Sequence, residues 1–295
     1  AEVLRLTRKY DDYFDILEKY LCSAEETPEA KADYLSLIVR RTDPRFVLTF
    51  GARIKSAYES LLAAHPKSAI AAAGYGEYLM YVGKWEELAK ESWKMYETFP
   101  EEFAFLEMAS IGEYNLQAYD KALEACDMII EKAPSDTAKT LRAWSMKGDL
   151  YHMAGEPKKA FKAYDNAQKV DPEYVYVLNN YAYYLSMEGK KLKKACEMSR
   201  KTIEAEPDNA TYLDTYGWIL YLQGKAADAK PVFKHAMLYG GRDSAVILDH
   251  YAEVLYALEE YELAFVYWNL SLQKNDERIE GLEEKIRKRR EAVKK

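Results

Sequence analysis

Four histidines and three cysteines are the residues from which a metal site or a nucleophilic centre would have to be built. His65, His152, His235 and His250 stand far apart, and neither a His-Glu-x-x-His nor a Cys-x-x-Cys run occurs, so the spacing does not point to a metal ion. His250 beside Asp249 is the one pairing that suggests proton transfer. Consecutive side chains on a helix point about 100° apart, so these two would not face each other and a catalytic dyad is not expected. Cys126 and Cys196 fall on second helices and read as inert buried thiols, with Cys22 equally unremarkable; an odd number of cysteines builds no disulfide framework. Apart from Gly240-Gly241 the glycines are solitary, and no Gly-rich phosphate-binding pattern occurs. Asn209-Ala-Thr211 and Asn269-Leu-Ser271 match a glycosylation run, but Ser271 falls at a packing position. Catalysis, metal and cofactor are therefore not expected of this chain, and contact with another macromolecule is.

The elements that would position such a contact are helices. Ala and Leu number 68 of the 295 residues against 34 for Val, Ile and Thr, and Gly and Pro together only 22. That balance favours helix over strand and leaves too few breakers for a loop-rich or disordered chain. With 42 basic and 49 acidic residues the net charge is −7, which lacks the basic footprint of nucleic-acid binding. No apolar run reaches the ~18 residues of a membrane span. Residue 1 is Ala, with no signal-peptide pattern before the first helix, which suggests a later portion of a longer array. Tyrosine, at 26 residues, is unusually abundant.

A repeat is visible in the punctuation. Pro66, Pro100, Pro134, Pro172 and Pro207 are separated by 34, 34, 38 and 35 residues, and each closes an apolar-periodic segment. Before them recur Leu88, Ala122, Ala160, Ala195, Ala229 and Ala264, and seven residues on Met95, Ile129, Ala167, Thr202, Ala236 and Ser271. Between lie Cys126, Tyr164, Phe233 and Trp268. Small residues in the first half of each unit (Gly76, Gly148, Ala182, Gly217, Ala252) allow close helix approach, and Gly83, Gly155, Gly189 and Gly224 mark the turn that follows. Each unit is thus helix, turn, helix, terminator. Residues 1–68 predict three helices: 6–22 with Tyr10, Phe14, Leu17 and Leu21 on one face, one from Thr27-Pro28 to Arg41, and one from Asp43-Pro44 carrying Val47, Phe50, Ile54, Tyr58, Leu61 and Leu62. Pro44 stands against a regular repeat there. Residues 276–295 predict a closing helix with a narrow stripe of Ile279, Leu282, Ile286 and Val293; Glu283–Arg287 and Glu284–Lys288 are in register to pair, so its basic run reads as a solvated cap. Pro231 predicts a kink or a late start in its helix.

The sequence resembles the tetratricopeptide-repeat family, best over 141–174, where Trp144, Gly148, Tyr151, Ala160, Tyr164, Ala167 and Pro172 fall in register. The units are 69–102, 103–136, 141–174, 175–209, 210–244 and 245–278, with 137–140 extending a helix and an extra residue in the turn Gly189-Lys-Lys-Leu192. The resemblance implies an all-α, right-handed α-solenoid of stacked helix-turn-helix units, with atypical N-terminal helices over 1–68 and a C-terminal capping helix over 276–295. The runs Val177–Leu185 and Tyr212–Leu220 are similar to tetratricopeptide proteins of Gram-negative bacteria, many of them outer-membrane lipoproteins facing the periplasm. That implies a periplasmic location, with the cytoplasm left open.

In that family the first helix of each unit lines the concave face. Transferred by register, this groups Tyr176, Asn179, Asn180 and Tyr183, then Asp214, Thr215, Trp218 and Tyr221, then Asp249, His250, Glu253 and Tyr256. Earlier units contribute Glu77, Met80, Tyr81, Met108, Tyr114, Arg142, Met146, Asp149 and His152. Asn-Asn, Asp-Thr and Asp-His at matching positions form a polar ladder beside aromatic rings, the make-up of a groove that holds an extended peptide. The alternatives are a solvated groove, rings used only for packing, or a groove filled by the chain's own terminal segment. Family members that clamp a terminal carboxylate do so with Lys and Arg; here those positions carry only Arg142 among the acids Glu77, Glu107, Asp149, Asp214, Asp249 and Glu253. The expected partner is a basic or neutral protein segment, not a carboxylate tail or nucleic acid. The function this predicts is a non-enzymatic interaction scaffold in an envelope-associated complex. The alternative is a regulatory or anchoring array for an enzyme whose catalytic part lies on another region or chain; a transcription regulator is disfavoured because residues 1–68 lack the basic excess and the patterning of a DNA-binding module.

Overall fold

The computed structural model describes residues 1–189, 191–276 and 281–293. The elements are helical: α1 (Glu2–Leu6), α2 (Tyr10–Cys22), α3 (Pro28–Arg41), α4 (Pro44–Thr49), α5 (Gly51–Ala64), α6 (Ala69–Tyr81), α7 (Trp85–Thr98), α8 (Ala104–Asn115), α9 (Tyr119–Lys132), α10 (Thr137–Met153), α11 (Pro157–Val170), α12 (Val175–Met187), α13 (Leu192–Ala205), α14 (Ala210–Leu222), α15 (Ala226–Ala236), α16 (Ala245–Ala257), α17 (Tyr261–Gln273) and α18 (Leu282–Val293). They form two compact units, Ala1–Gly155 and Glu156–Lys295. The helix pairs follow the sequence register. Leu88, Ala122, Ala160, Ala195, Ala229 and Ala264 are each fully buried, and Met95, Ile129, Ala167, Thr202, Ala236 and Ser271 nearly so.

Within each unit a second helix packs on the next first helix, as α7 does on α8 and α13 on α14. Close approach depends on missing side chains. A Cβ on Gly112 would lie 2.8 Å from the backbone nitrogen of Ala89, and one on Gly217 would lie 2.7 Å from the Phe233 ring. First helices tend to start on a side-chain cap: Ser68, Asp136, Asn209 and Ser244 accept from the backbone N–H groups of α6, α10, α14 and α16. The turns within pairs use a left-handed residue. Where the sequence offers Gly83, Gly155, Gly189 or Gly224 this costs little, but Gln117 and Glu259 take φ of 59° and 62° at the same register position.

The N-terminal region departs from the expected three helices. The first is two pieces, α1 and α2, broken where Arg8 turns left-handed. The third breaks at Phe50 into α4 and α5, while Pro44 sits in the first turn of α4 behind an Asp43 cap, where a missing N–H costs nothing. Pro44 therefore does not keep this region from pairing: α3 and α5 pack on each other and both on α6. The tyrosines show the same arrangement in both units. Tyr58, Tyr75 and Tyr78 have ring centroids 5.3–6.5 Å apart, and Tyr164 lies 5.3 Å from Tyr181 and 6.0 Å from Tyr184. Both trios have the same sequence offsets.

In the second unit Pro231 lies inside α15, which starts on time at Ala226, so the late start is not observed. The closing helix buries Leu282 and Ile286 while Val293 is exposed; Ile279 lies outside the described residues. Glu284 pairs with Lys288 and Arg287, but the basic run is more than a solvated cap, because α18 packs on α17 and turns other basic side chains onto α16.

Candidate functional site

The register positions picked out in the sequence meet on the first helices α12, α14 and α16 of the second unit. Three rings stack across α14 and α16: Trp218 lies 5.0 Å from Tyr221 and 4.0 Å from His250, with interplanar angles of 27° and 14°. His250 Nδ1 and Asp214 Oδ1 are 2.8 Å apart, and both residues are buried. The carboxylate partner of His250 is thus Asp214, one repeat earlier, and not its neighbour Asp249. The stack is a rigid, flat contact area whose edges carry polar groups.

On α12, Asn179 donates from Nδ2 to Asn180 Oδ1 at 3.1 Å. Two polar atoms here are buried without a hydrogen-bond partner among the described residues: Asn179 Oδ1, an acceptor, and Trp218 Nε1, a donor. Tyr176 is exposed, while Asn180, Tyr183, Trp218, Tyr221 and Tyr256 are half-buried. Thr215 is buried and donates to the Thr211 carbonyl on its own helix. Burial, followed by the negative charge of Glu253, pushes the Tyr221 phenol upward.

The α16 end is occupied by the chain itself. Lys285 pairs with Asp249 and, at 3.0 Å, with Glu253; Arg289 pairs with Glu253 at 3.1 Å. The Arg289 guanidinium lies 4.4 Å from the Tyr256 ring centroid, Arg290 5.0 Å from that of Phe265, and Lys285 5.5 Å from that of Trp268. Asp249 also accepts from Trp268 Nε1 at 2.8 Å. Asp249, Glu253 and Tyr256 therefore face α18, and Tyr221 borders the same cluster through Glu253, whereas the Asn179 amide and the Trp218 stack on His250 use none of these ion pairs.

The first unit handles its acids differently. Arg40 of α3 pairs with Glu77 of α6, and Arg142 of α10 holds Glu107 of α8 through two hydrogen bonds of 2.8 and 2.9 Å. Each pair borders an apolar hollow. One, of about 280 Å³, is lined by Val39, Tyr58, Tyr78, Met80 and Tyr81; the other, of about 120 Å³, by Ile111, Cys126, Ile129, Ala143 and Met146. Burial pushes the Cys126 thiol up to about 12, as an inert thiol requires.

Five of the six acids that sequence reasoning treated as a repelling row are thus tied to partners: Glu77 and Glu107 by arginines, Asp214 by His250, and Asp249 and Glu253 by α18. Sequence reasoning missed these partners, although a signal was present, since each lies 35–37 residues away, close to one repeat length. Among the described residues no group of three or more His, Cys, Asp or Glu is gathered as a metal site, and no helix is long and apolar enough to cross a membrane.

No family model matches the sequence, and no curated protein matches it. Solved structures do. A tetratricopeptide repeat protein from Parabacteroides merdae aligns with a TM-score of 0.62 at 15% identity, over 86% of this chain and 97% of that one. A chain of the APC/C hetero-tetramer Cut9–Hcn1 aligns with a TM-score of 0.66 at 13% identity, over 88% of this chain and 52% of that one, so this chain spans about half its length. PilF from Pseudomonas aeruginosa aligns with a TM-score of 0.52 at 21% identity, over 59% and 77%. Likeness at such identities concerns the fold.

Proposed function

From the premise of a tetratricopeptide-repeat fold, we propose that this protein is a non-catalytic interaction scaffold that holds a segment of another polypeptide against α12 and α14 of the second unit. The observation that carries this reading is the Tyr221–Trp218–His250 stack on α14 and α16, with Asn179 on α12, a helix that packs on α14, and with one buried donor and one buried acceptor unmatched. A stacked ring face offers contact area at low entropic cost, and an extended backbone supplies the C=O and N–H that Trp218 Nε1 and Asn179 Oδ1 lack. The partner is neutral or basic, because the first helices of the repeats carry Asp214, Asp249 and Glu253 and no Lys or Arg at the corresponding positions of α12, α14 and α16 to hold a carboxylate. We place the scaffold in an envelope-associated complex, as an outer-membrane-anchored protein facing the periplasm, on the resemblance of Val177–Leu185 and Tyr212–Leu220 to lipoproteins of that kind.

The test is capture from native extract with the wild-type chain and with a Tyr183→Ala/Trp218→Ala chain, followed by titration of the purified partner. Each substitution is expected to weaken binding by about 2 kcal/mol. Trp218 is half-buried against two rings and Tyr183 half-buried against the Tyr184 ring at 5.6 Å, so the melting temperature of each variant is measured beside its affinity. Unchanged affinity in both variants would remove the surface from consideration.

A further inference from the structure

The end of the second unit is covered by the chain's own last helix. α18 is seated there chiefly by charge. Of its residues only Leu282 and Ile286 are buried, whereas α16 buries nine. Against that small apolar seat stand Lys285 on Asp249 and Glu253, Arg289 on Glu253 and over the Tyr256 ring, and Arg290 over the Phe265 ring. With α18 seated, Asp249 and Glu253 are nearly enclosed, their side chains 16% and 10% exposed, so removing α18 without replacement takes both cations from Glu253 and leaves Asp249 with the Trp268 Nε1 hydrogen bond alone. A helix held by few apolar contacts and several ion pairs can be exchanged for another that satisfies the same groups.

We infer that the α16–α17 face is a receptor for an amphipathic basic helix from a partner protein, with apolar residues at i and i+4 and basic residues at i+3, i+7 and i+8, which enters by displacing α18. The pattern is read from Leu282, Ile286, Lys285, Arg289 and Arg290. This rests on the scaffold reading and specifies a partner class for it at a second, adjoining surface. As long as α18 is seated, the incoming helix binds only in proportion to the fraction of molecules whose site is vacant, so the partner's apparent affinity is set by α18 as well as by its own contacts. The acids that attract a basic segment are exposed to it only in that vacant state, which makes the site selective for a helix that replaces both the charge and the apolar pair.

The experiment uses the full chain and a labelled synthetic peptide of residues 281–293. In the Lys285→Glu/Arg289→Glu chain the resident helix is repelled while α16 and α17 are untouched, and the peptide is expected to bind at least tenfold more tightly than to the wild-type chain. Adding Asp249→Asn and Glu253→Gln to that chain should abolish the gain. A peptide of the same composition with apolar and basic positions scrambled should bind at least tenfold more weakly. Equal affinity of the peptide for wild-type and charge-reversed chains, or equal binding of the scrambled peptide, overturns the inference. Should the charge-reversed chain fail to fold, hydrogen exchange of residues 285–293 in the wild-type chain decides: excess peptide speeds it if α18 is displaced, and unchanged exchange at saturating peptide overturns the inference. Because the probe is the chain's own helix, failure here leaves the Tyr183 and Trp218 test standing, and failure there leaves this one standing.

Discussion

The first helices of the two units bear acids at matching register positions, yet those acids are answered in different ways. In residues 1–155, Arg40 and Arg142 reach across from neighbouring first helices to Glu77 and Glu107, and each ion pair borders an apolar hollow. In residues 156–295, Asp214 is answered by a histidine within a ring stack, and Asp249 and Glu253 by a separate terminal helix. The first arrangement is fixed by the repeats themselves. The second leaves part of the inner surface to aromatic rings and amides, and part to a segment with a small apolar seat. One repeat register therefore supports both a self-satisfied surface and one suited to contact, and the difference lies in where the basic groups come from.

The largest expected effect tests how tightly each unit is closed. Gly112→Ala drives a Cβ into the Ala89 backbone, which cannot rotate aside, and should cost about 3 kcal/mol; Gly217→Ala meets the Phe233 ring, which can shift, and should cost about 1–2 kcal/mol. Denaturant titration measures both. If Gly112→Ala were the milder of the two, the close approach of α7 and α8 would not be what holds the first unit.

Alkaline pH should separate the units next. Burial raises the Tyr58 phenol to about 12 in the first unit and the Tyr251 phenol to about 12 in the second, from an ordinary 10.0. The first unit adds Cys126, raised from 9.0 to about 12. Folding holds these protons more tightly than the unfolded chain does, so this stability is complete below the ordinary values and is lost as pH rises through about 12. The loss should begin nearer pH 9 in the first unit and nearer 10 in the second, as read by hydrogen exchange across a pH series, and Tyr58→Phe should flatten the first unit's slope.

A smaller effect concerns the ion pairs. Arg142→Ala removes a half-exposed pair and should cost about 0.5 kcal/mol, at the level of a surface salt bridge. Arg289→Ala should cost little more in global stability but should markedly speed hydrogen exchange in α18, since it removes both the Glu253 pair and the Tyr256 contact. Equal, slow exchange in the two variants would erase the distinction between a built-in cross-link and a seated helix. The smallest expected effect is a gain: Gln117→Gly and Glu259→Gly relieve a left-handed side chain in each unit and should stabilise by about 0.5 kcal/mol apiece, visible as a small rise in melting temperature.

Much of this architecture was legible because helix pairs stacked at a constant repeat must spend small residues and terminators at fixed places. Ala122, Ala160 and Ala195 are buried for the reason that made them recur. The positions that gather on α12, α14 and α16 followed from the same ruler. What was not legible depended on partners a full repeat away. Helix geometry ruled out Asp249 for His250, but nothing local in the sequence pointed to Asp214, 36 residues away. The acids looked unopposed because Arg40, Lys285 and Arg289 lay outside the units being compared. Gln117 and Glu259 concealed turns that the glycines elsewhere advertised, since the surrounding helices impose the conformation at the residue's expense. The offset shared by Tyr58, Tyr75, Tyr78 and by Tyr164, Tyr181, Tyr184 was present in the sequence and would have assigned α5 its place in a pair.

Pro231 in the middle of α15 has a consequence of its own. Proline brings no N–H, so the carbonyl of Ala227 has no partner one turn along and must turn to water. α15 is also the shortest second helix of any pair, and the chain leaves it through Gly240 and Gly241. Among the paired helices of the second unit, breathing should therefore start at this turn, which makes it the natural point of attack for a protease within the repeats.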